Sequence, residues 1–130
     1  MENQQQFEEM ELSELQKVND AKITGVIAVL CVRAHTHALK KGFCFPDCQR
    51  NEGELIALMH SELSEALEAI RHGNPPDNHI PEFSGAEAEL ADCCIRIFDM
   101  AGEHGYRLGE AIIAKMAYNK TRPNKHGKKF

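Results

Sequence analysis

The feature that most constrains the fold is a glutamate within an apolar helical face. In residues 52–72, apolar side chains recur with the spacing of an α-helix. At ~100° per residue, several apolar side chains lie within roughly 60° of Glu62: Leu55, Leu58, Met59, Ala66 and Ala69. A carboxylate buried among such side chains is costly and tends to protonate unless a cation compensates its charge. We therefore expect Glu62 to be buried beside a cation.

Two pairs of carboxylates include this glutamate. Glu62 and Glu65 are three residues apart, as are Glu89 and Asp92 in the next helical segment, so each pair shares one helix face. If both pairs face one groove, two carboxylates at ~4 Å repel by roughly 4 kcal/mol at an effective dielectric of about 20. A divalent ion would relieve this repulsion, and an all-carboxylate set of ligands favours Mg²⁺ or Mn²⁺. The spacing alone also allows two surface helices whose acids never meet.

The hydrophobic pattern predicts an all-α fold. Apolar residues recur with helical spacing in four segments: residues 23–40, 52–72, 85–104 and 108–121. Ser84 and Glu87 form a capping-box pattern before the third helix. The run Val26–Val32 could be a short buried strand, but the unbroken period through Ala38 favours a helix. Because this run is apolar nearly all round, it also predicts an interface with another subunit.

Length and charge indicate one domain with distinct ends. We expect residues 1–20 to be an acidic, partly flexible segment, residues 21–122 to be the all-α domain and residues 123–130 to be a basic tail. The net charge of −5 argues against a dedicated nucleic-acid-binding protein. The longest apolar run is far shorter than the ~20 residues that a membrane span needs, so we expect no membrane association.

The cysteines bear on the compartment. There are five, an odd number, and the polar, acidic residues 1–20 do not have the apolar core expected of a signal peptide. We therefore expect reduced thiols and a cytoplasmic protein. Cys44 and Cys48 could suggest a zinc site, but the sequence offers no second pair of ligands at the spacing of a zinc finger.

Cationic and amide side chains share one face of the fourth helix. Lys115, Asn119 and Arg122 follow the spacing i, i+4, i+7 and could bind an anion, with arginine as a fork for phosphate oxygens. The alternative is an amphipathic helix that frays into a basic tail. On the third helix, Arg96 is expected to pair with Asp92 or Asp99, and phosphate contact is the less favoured alternative.

Three motifs in order carry a family resemblance. Glu62-x-x-Glu65, Glu89-x-x-Asp92 and Lys115-Met116-x-x-Asn119-x-x-Arg122-Pro123 resemble the MazG-like all-α nucleoside triphosphate pyrophosphohydrolases over about residues 23–123. The resemblance implies a four-helix MazG-like bundle completed by oligomerisation, as a homodimer or homotetramer. It also implies Mg²⁺-dependent hydrolysis of an NTP or dNTP to the monophosphate and pyrophosphate, with Mn²⁺ as a possible substitute.

The resemblance also implies roles for individual residues. The catalytic and metal-binding residues would be Glu62, Glu65, Glu89 and Asp92. The residues that contact the phosphates or the sugar would be Lys115, Asn119 and Arg122. Phe43 and Phe45 are candidates for holding the base, although a plain hydrophobic plug would also explain them. Many members have two adjacent glutamates at the first motif, and Ser61 occupies the first of these positions here, which leaves the number of metal ions and the general base open.

Two other classes of function remain. A non-catalytic helical module that senses nucleotides or binds a partner would need no chemistry from the carboxylates. A di-iron carboxylate bundle would need Glu-x-x-His on two helices, and the sequence contains no Glu-x-x-His.

Overall fold

The structure, a computed structural model, describes residues 2–45 and 49–129, with side chains from residue 13 onward. Over these ranges it has four α-helices and a short 3₁₀ helix: α1 Glu2–Lys40, α2 Glu52–Arg71, α3 Gly85–His104, α4 Leu108–Lys120 and the 3₁₀ helix Asn124–Gly127. The described part contains no β-strand, only an isolated bridge between Pro76 and Ser84. The predicted all-α, four-helix architecture is confirmed, while the MazG-like identity and the oligomerisation stay predictions.

The first helix begins much earlier than expected. α1 runs from Glu2 through the segment 1–20 and continues to Lys40, so the expected start near Ile23 is wrong. Residues 2–20 contain no glycine or proline and are rich in glutamate and glutamine, which favour helix even without an apolar stripe. The competing strand interpretation of Val26–Val32 is excluded, because this run lies within α1. The partial flexibility of segment 1–20 stays a prediction.

The chain forms two compact units. One consists of Met1–Val29 with Arg107–Phe130, and the other of Leu30–Tyr106. In the first unit, Gly109 of α4 allows a close approach to α1, since a Cβ at this glycine would lie 3.0 Å from both Cα and O of Thr24. The second unit contains the rest of α1 together with α2 and α3, and α2 and α3 pack against each other.

Local hydrogen bonds fix the beginning of α3 next to the end of α2. The side chain of Ser84 accepts from the backbone N–H of Glu87, whose carboxylate accepts from Ser84 in return, so the predicted capping box is confirmed. In the preceding loop, the amide oxygen of Asn74 accepts from Ala86 N at 2.9 Å, and Pro75 O accepts from Gly85 N at 2.8 Å. These contacts set the direction in which α3 leaves the loop.

Four ionisable side chains join the three helical segments of this unit. Arg50, which precedes α2, pairs with Asp99 and Glu103 of α3, and His35 of α1 lies 3.0 Å from Asp99. Arg50, Asp99 and Glu103 are each at most 14% exposed. Burial by itself would raise the pKa of Asp99, but hydrogen bonds from Arg50 and His35 outweigh it and hold that pKa below its ordinary value.

The core is small and much apolar surface remains outside it. The buried residues of the described part are alanines, cysteines, Gly109 and Glu62, and no large side chain among them is fully buried. On α2, a second apolar stripe faces outward at the spacing i, i+7, i+11, i+14, with exposures between 42% and 58%: Ile56, Leu63, Leu67 and Ile70.

None of the helices in the described ranges has the length and apolarity needed to cross a bilayer.

The cysteines depart from the expectation in one place. Cys31, Cys93 and Cys94 are free thiols, whereas Cys44 is disulfide-bonded. The expectation of reduced thiols is therefore wrong for Cys44. It rested on the number of cysteines, which says nothing about the distance between two sulfurs, and that distance decides whether a bridge can form. The zinc alternative also involved Cys48, which lies outside the described residues.

Candidate metal centre and adjoining cavity

Three carboxylates from two helices meet in the second unit. Glu62 of α2 and Glu89 and Asp92 of α3 each offer one oxygen, and these oxygens all lie within 4.8 Å of one another. The alternative of surface helices whose acids never meet is therefore wrong. Glu65, the fourth predicted ligand, is exposed and lies outside this group. We call Glu62, Glu89 and Asp92 the carboxylate group.

The three residues of the carboxylate group differ in their exposure to solvent. Glu62 is buried, Glu89 is half-buried and Asp92 is exposed. Glu62 is the single buried polar or charged residue of the described part, which confirms the burial expected from the helical period. Its position in the apolar face of α2 follows from that period, and the packing of α2 on α3 brings it to Glu89 and Asp92.

The pKa of Glu89 reflects the nearby negative charges. The pKa of Glu89 is raised to about 7, first by burial and then by a hydrogen bond with Glu62 and by the negative charges of Glu65, Glu62 and Asp92. Although Glu65 lies outside the group, it is thus near enough for its charge to act on Glu89. The charges of the other three predicted ligands thus act on Glu89, and Glu62, Glu89 and Asp92 lie close enough together to hold one ion.

The carboxylate group fits a hard divalent ion. Its donors are carboxylate oxygens, which Mg²⁺ and Mn²⁺ prefer. Two oxygens on opposite sides of Mg²⁺ would be about 4.2 Å apart, twice a bond length of about 2.1 Å. The observed spread of up to 4.8 Å is close to this value, so small side-chain rotations would bring the three oxygens to one ion.

Arg96 supplies the cation that Glu62 requires. Its Nε donates to Oε1 of Glu62 at 2.6 Å, across the α2–α3 contact. The expectation that Arg96 pairs with Asp92 or Asp99 is therefore wrong. Asp99 is already bound by Arg50 and His35, and Asp92 is exposed, so the buried Glu62 has most to gain from a positive charge.

A cavity of about 690 Å³ adjoins the carboxylate group. Glu62, Asp92 and Arg96 contribute to its lining, and apolar side chains form another part of its wall: Leu55, Leu58, Ile95 and Phe43. This volume is within the usual range for small-molecule sites, about 300–1,000 Å³. Phe43, one of the two predicted base-contacting aromatics, thus lies at the cavity, whereas Phe45 is not among its lining residues.

The predicted substrate-contacting residues of α4 belong to the other compact unit. Lys115 Nζ lies 5.2 Å from the ring centroid of Tyr118, and Arg122 Cζ lies 5.8 Å from the same centroid. Both cations thus lie within cation–π distance of one aromatic ring. Asn119 is half-buried. Contact of Lys115, Asn119 and Arg122 with a substrate stays a prediction.

The arrangement in the second unit can bind two kinds of chemical group side by side. The carboxylate group can hold a divalent ion, and the cavity offers a guanidinium next to an apolar wall. A ligand suited to both would combine metal-binding anionic oxygens with a flat or apolar part.

No protein-family model, curated protein or solved structure matches this chain.

Proposed function

We propose that this protein is a Mg²⁺-dependent nucleoside triphosphate pyrophosphohydrolase that cleaves an NTP or dNTP to the monophosphate and pyrophosphate. One observation carries the proposal: Glu62 and Asp92 belong both to the carboxylate group and to the lining of the cavity. A triphosphate bound there would have its phosphates next to the ion and its base against the apolar wall. The order of the three motifs, which resembles the MazG-like enzymes, supports the same substrate class.

The metal ligands in this proposal come from α2 and α3. Glu62, Glu89 and Asp92 would hold the ion, with Glu65 as a further ligand, and Mn²⁺ could replace Mg²⁺. When bound, such an ion neutralises charge on phosphate oxygens and lowers the pKa of a coordinated water. It would also relieve the repulsion that raises the pKa of Glu89 in the ion-free protein.

The reaction is hydrolysis at the α-phosphorus. A new bond forms between the oxygen of water and this phosphorus, and the bond from phosphorus to the oxygen that bridges the α- and β-phosphates breaks. The bridging oxygen leaves with the electron pair as part of pyrophosphate. One of the three side chains Glu62, Glu89 and Asp92 accepts a proton from the attacking water.

The remaining assigned residues bind the substrate. Phe43 and Phe45 would contact the base, helped by Leu55 and Leu58 of the cavity wall. Lys115, Asn119 and Arg122 would contact phosphates or sugar, because two of them carry a permanent positive charge that suits phosphate oxygens. These contacts position the nucleotide, and positioning supplies much of the catalysis in phosphoryl transfer.

The proposed assembly is a homodimer or homotetramer, and the proposed compartment is the cytoplasm, where the thiols of Cys31, Cys93 and Cys94 would stay free. The outward apolar stripe of α2 supports the assembly, since four side chains more than 40% exposed on one helix face are unusual for a surface that stays in water. A second copy of the chain could cover this stripe and complete the bundle.

The experiment that tests the proposal is a product survey. The protein is incubated with Mg²⁺ and each of the common NTPs and dNTPs, and the products are separated to distinguish pyrophosphate plus monophosphate from phosphate plus diphosphate. We expect the first pair with at least one substrate, and none after addition of excess EDTA. Nucleotide binding without release from any triphosphate would instead support the non-catalytic sensing module.

A further inference from the structure

Arg96 is bound to Glu62 through only one of its three nitrogens. Nε donates to Oε1 of Glu62, and within the described ranges the two terminal nitrogens make no hydrogen bond to another residue. Arg50 provides the contrast, because all three of its nitrogens bind Asp99 or Glu103. A guanidinium has five N–H donors, so Arg96 keeps most of its binding capacity unused.

Arg96 is placed where its unused N–H donors could bind a ligand in the cavity. Its side chain is 40% exposed, against 14% for Arg50, and it contributes to the lining of the cavity. The Arg96 side chain is thus partly open to solvent and borders the cavity in which a ligand would bind. A guanidinium fork of this kind matches the geometry of phosphate oxygens.

Glu62 pairs with one cation, Arg96, and is placed to hold a second one, a divalent ion. It is one of the three residues that can hold a divalent ion, and its carboxylate is already neutralised by Arg96. A guanidinium and a divalent ion on the same carboxylate repel each other, and the repulsion is strong where water is scarce. Glu62 is only 9% exposed, so solvent screens this repulsion poorly.

We propose that Arg96 is an exchangeable cation: it neutralises Glu62 in the metal-free protein and moves to the phosphates of the substrate once a divalent ion takes that carboxylate. The inference rests on the proposed function, since it needs both an ion and a phosphate ligand. It assigns Arg96 two partners in succession. In the metal-free protein Arg96 prevents the energetic penalty of a bare buried carboxylate, and in the loaded protein it contacts substrate.

The first test measures metal binding without nucleotide. Mn²⁺ uptake at pH 8 is followed by electron paramagnetic resonance for the unaltered protein and for Arg96→Gln. Because the variant removes the competing cation, we expect Mn²⁺ to bind about fivefold more tightly or better, the lower end of typical coupling between ligands. Arg71→Gln is the matched control: Arg71 is also on the second unit, is 65% exposed and pairs with Glu68, and its removal should leave Mn²⁺ affinity within about twofold.

The outcomes separate the two proposals. Unchanged or weaker Mn²⁺ binding by Arg96→Gln would overturn the exchange, because Arg96 would then be indifferent to the ion or would support it. Absence of Mn²⁺ uptake by the unaltered protein would overturn the metal site, and the exchange with it. Uptake by the unaltered protein with no gain in the variant leaves the metal site standing and rejects only the exchange.

The second test measures nucleotide binding with the ion present. Affinity for an α,β-methylene triphosphate analogue, which cannot be cleaved between these phosphates, is measured by calorimetry in Mg²⁺. We expect Arg96→Gln to bind the analogue about tenfold more weakly and Arg96→Lys to retain part of the affinity, because lysine keeps the charge without the fork. Equal affinity of all three proteins would contradict the move to phosphate.

A third measurement needs no substitution and covers the case in which Arg96→Gln does not fold. In protein labelled with ¹⁵N-arginine, the Nε–H of Arg96 should exchange slowly with water in the metal-free state, because it is hydrogen-bonded to Glu62. Saturating Mg²⁺ should accelerate that exchange or shift the signal. The Mg²⁺ concentration that fills the site is the one that displaces bound Mn²⁺ completely. A signal that does not change at this Mg²⁺ concentration would rule out the exchange of partners.

Discussion

Arg50 and Asp99 are joined by two parallel hydrogen bonds, Nη1 to Oδ2 at 2.7 Å and Nη2 to Oδ1 at 2.9 Å. Both side chains are 14% exposed, and both contribute to the lining of the cavity. Arg50 stands directly before the N-cap of α2, so this pair holds the beginning of α2 against α3. The α2–α3 contact that brings Glu62 to Glu89 and Asp92 is therefore also held by a half-buried ion pair near the beginning of α2.

Removing one half of this pair should destabilise the fold. In Asp99→Asn, Arg50 keeps Glu103 but loses its closest carboxylate, and a mostly buried cation is left with less compensation. We expect the free energy of unfolding to fall by about 3 kcal/mol, measured by urea denaturation. The control Glu68→Gln removes a charge from the exposed face of α2 and should change stability by less than about 0.5 kcal/mol. Equal stability of the two variants would contradict a structural role for the pair.

The same pair predicts a dependence of stability on pH. The pKa of Asp99 lies below its ordinary value: burial opposes this, but the hydrogen bonds from Arg50 and His35 outweigh burial. The unfolded chain therefore takes up a proton at Asp99 more readily than the folded protein does. The contribution of Asp99 is complete above the unfolded pKa, about 3.9, and is lost as pH falls through the lower folded pKa.

Urea midpoints between pH 7 and pH 3 would measure this effect. The unaltered protein should lose stability as the pH falls below about 4, and Asp99→Asn should lose less over the same interval because its side chain no longer titrates. The neighbours His35 and Glu103 remain in both proteins, so the difference between the two curves measures the titration of Asp99 together with its coupling to them. Parallel curves would show that Asp99 does not carry the acid sensitivity.

The sequence predicted those parts of the site that depend on one helix at a time. The period of α2 placed Glu62 in the apolar face, and the spacing in α3 placed Glu89 beside Asp92, because both follow from the fixed rotation per residue in a helix. The partner of Arg96 depends on how α2 and α3 are rotated against each other, and periodicity does not give that rotation. The expected partners within α3 were therefore wrong.

Sequence reasoning missed Arg50 altogether. It lies in a short polar segment without a helical period, and nothing in its immediate surroundings distinguishes it from an exposed arginine. The only available signal was Asp99 with Glu103 at the spacing i, i+4 on α3, which presents two carboxylates on one face. The beginning of α1 was also missed, because segment 1–20 lacks the apolar stripe on which the boundary was based.

Asp92 offers the clearest test of the metal ligands. Because Asp92 is exposed, Asp92→Asn should leave stability nearly unchanged, whereas Glu62→Gln would also disturb the buried pair with Arg96. We expect Asp92→Asn to lower pyrophosphate release by at least about 100-fold and to weaken Mn²⁺ uptake. The control is Glu82→Gln, which removes an exposed carboxylate away from the carboxylate group. Asp77 is not used as the control because its side chain accepts hydrogen bonds from the backbone of its own loop. Full activity of Asp92→Asn would remove this residue from the site.

The cations of α4 should act on substrate affinity. Lys115→Ala and Arg122→Ala are each expected to raise KM about tenfold with little change in kcat, since a charged hydrogen bond to phosphate contributes on the order of 1.4 kcal/mol or more. Both residues contact the ring of Tyr118, so a circular dichroism melt should show that α4 is intact. Lys120→Ala removes an exposed charge from the same helix and should leave KM unchanged. A KM that responds equally to all three substitutions would indicate general charge attraction, not specific contact.

The outward stripe of α2 should be the surface on which two copies of the chain meet. Leu63 and Leu67 lie in its middle, 46% and 49% exposed, and a charge at either position would be buried in a homo-oligomer but harmless in a monomer. We expect Leu63→Glu to shift the molar mass from light scattering toward that of a single chain, 14.6 kDa. Ala57→Glu places the same charge on α2 about 100° from Ile56 and should leave the mass unchanged. If the unaltered protein already has the mass of one chain, the stripe is not covered by a second copy, and the proposed assembly is wrong.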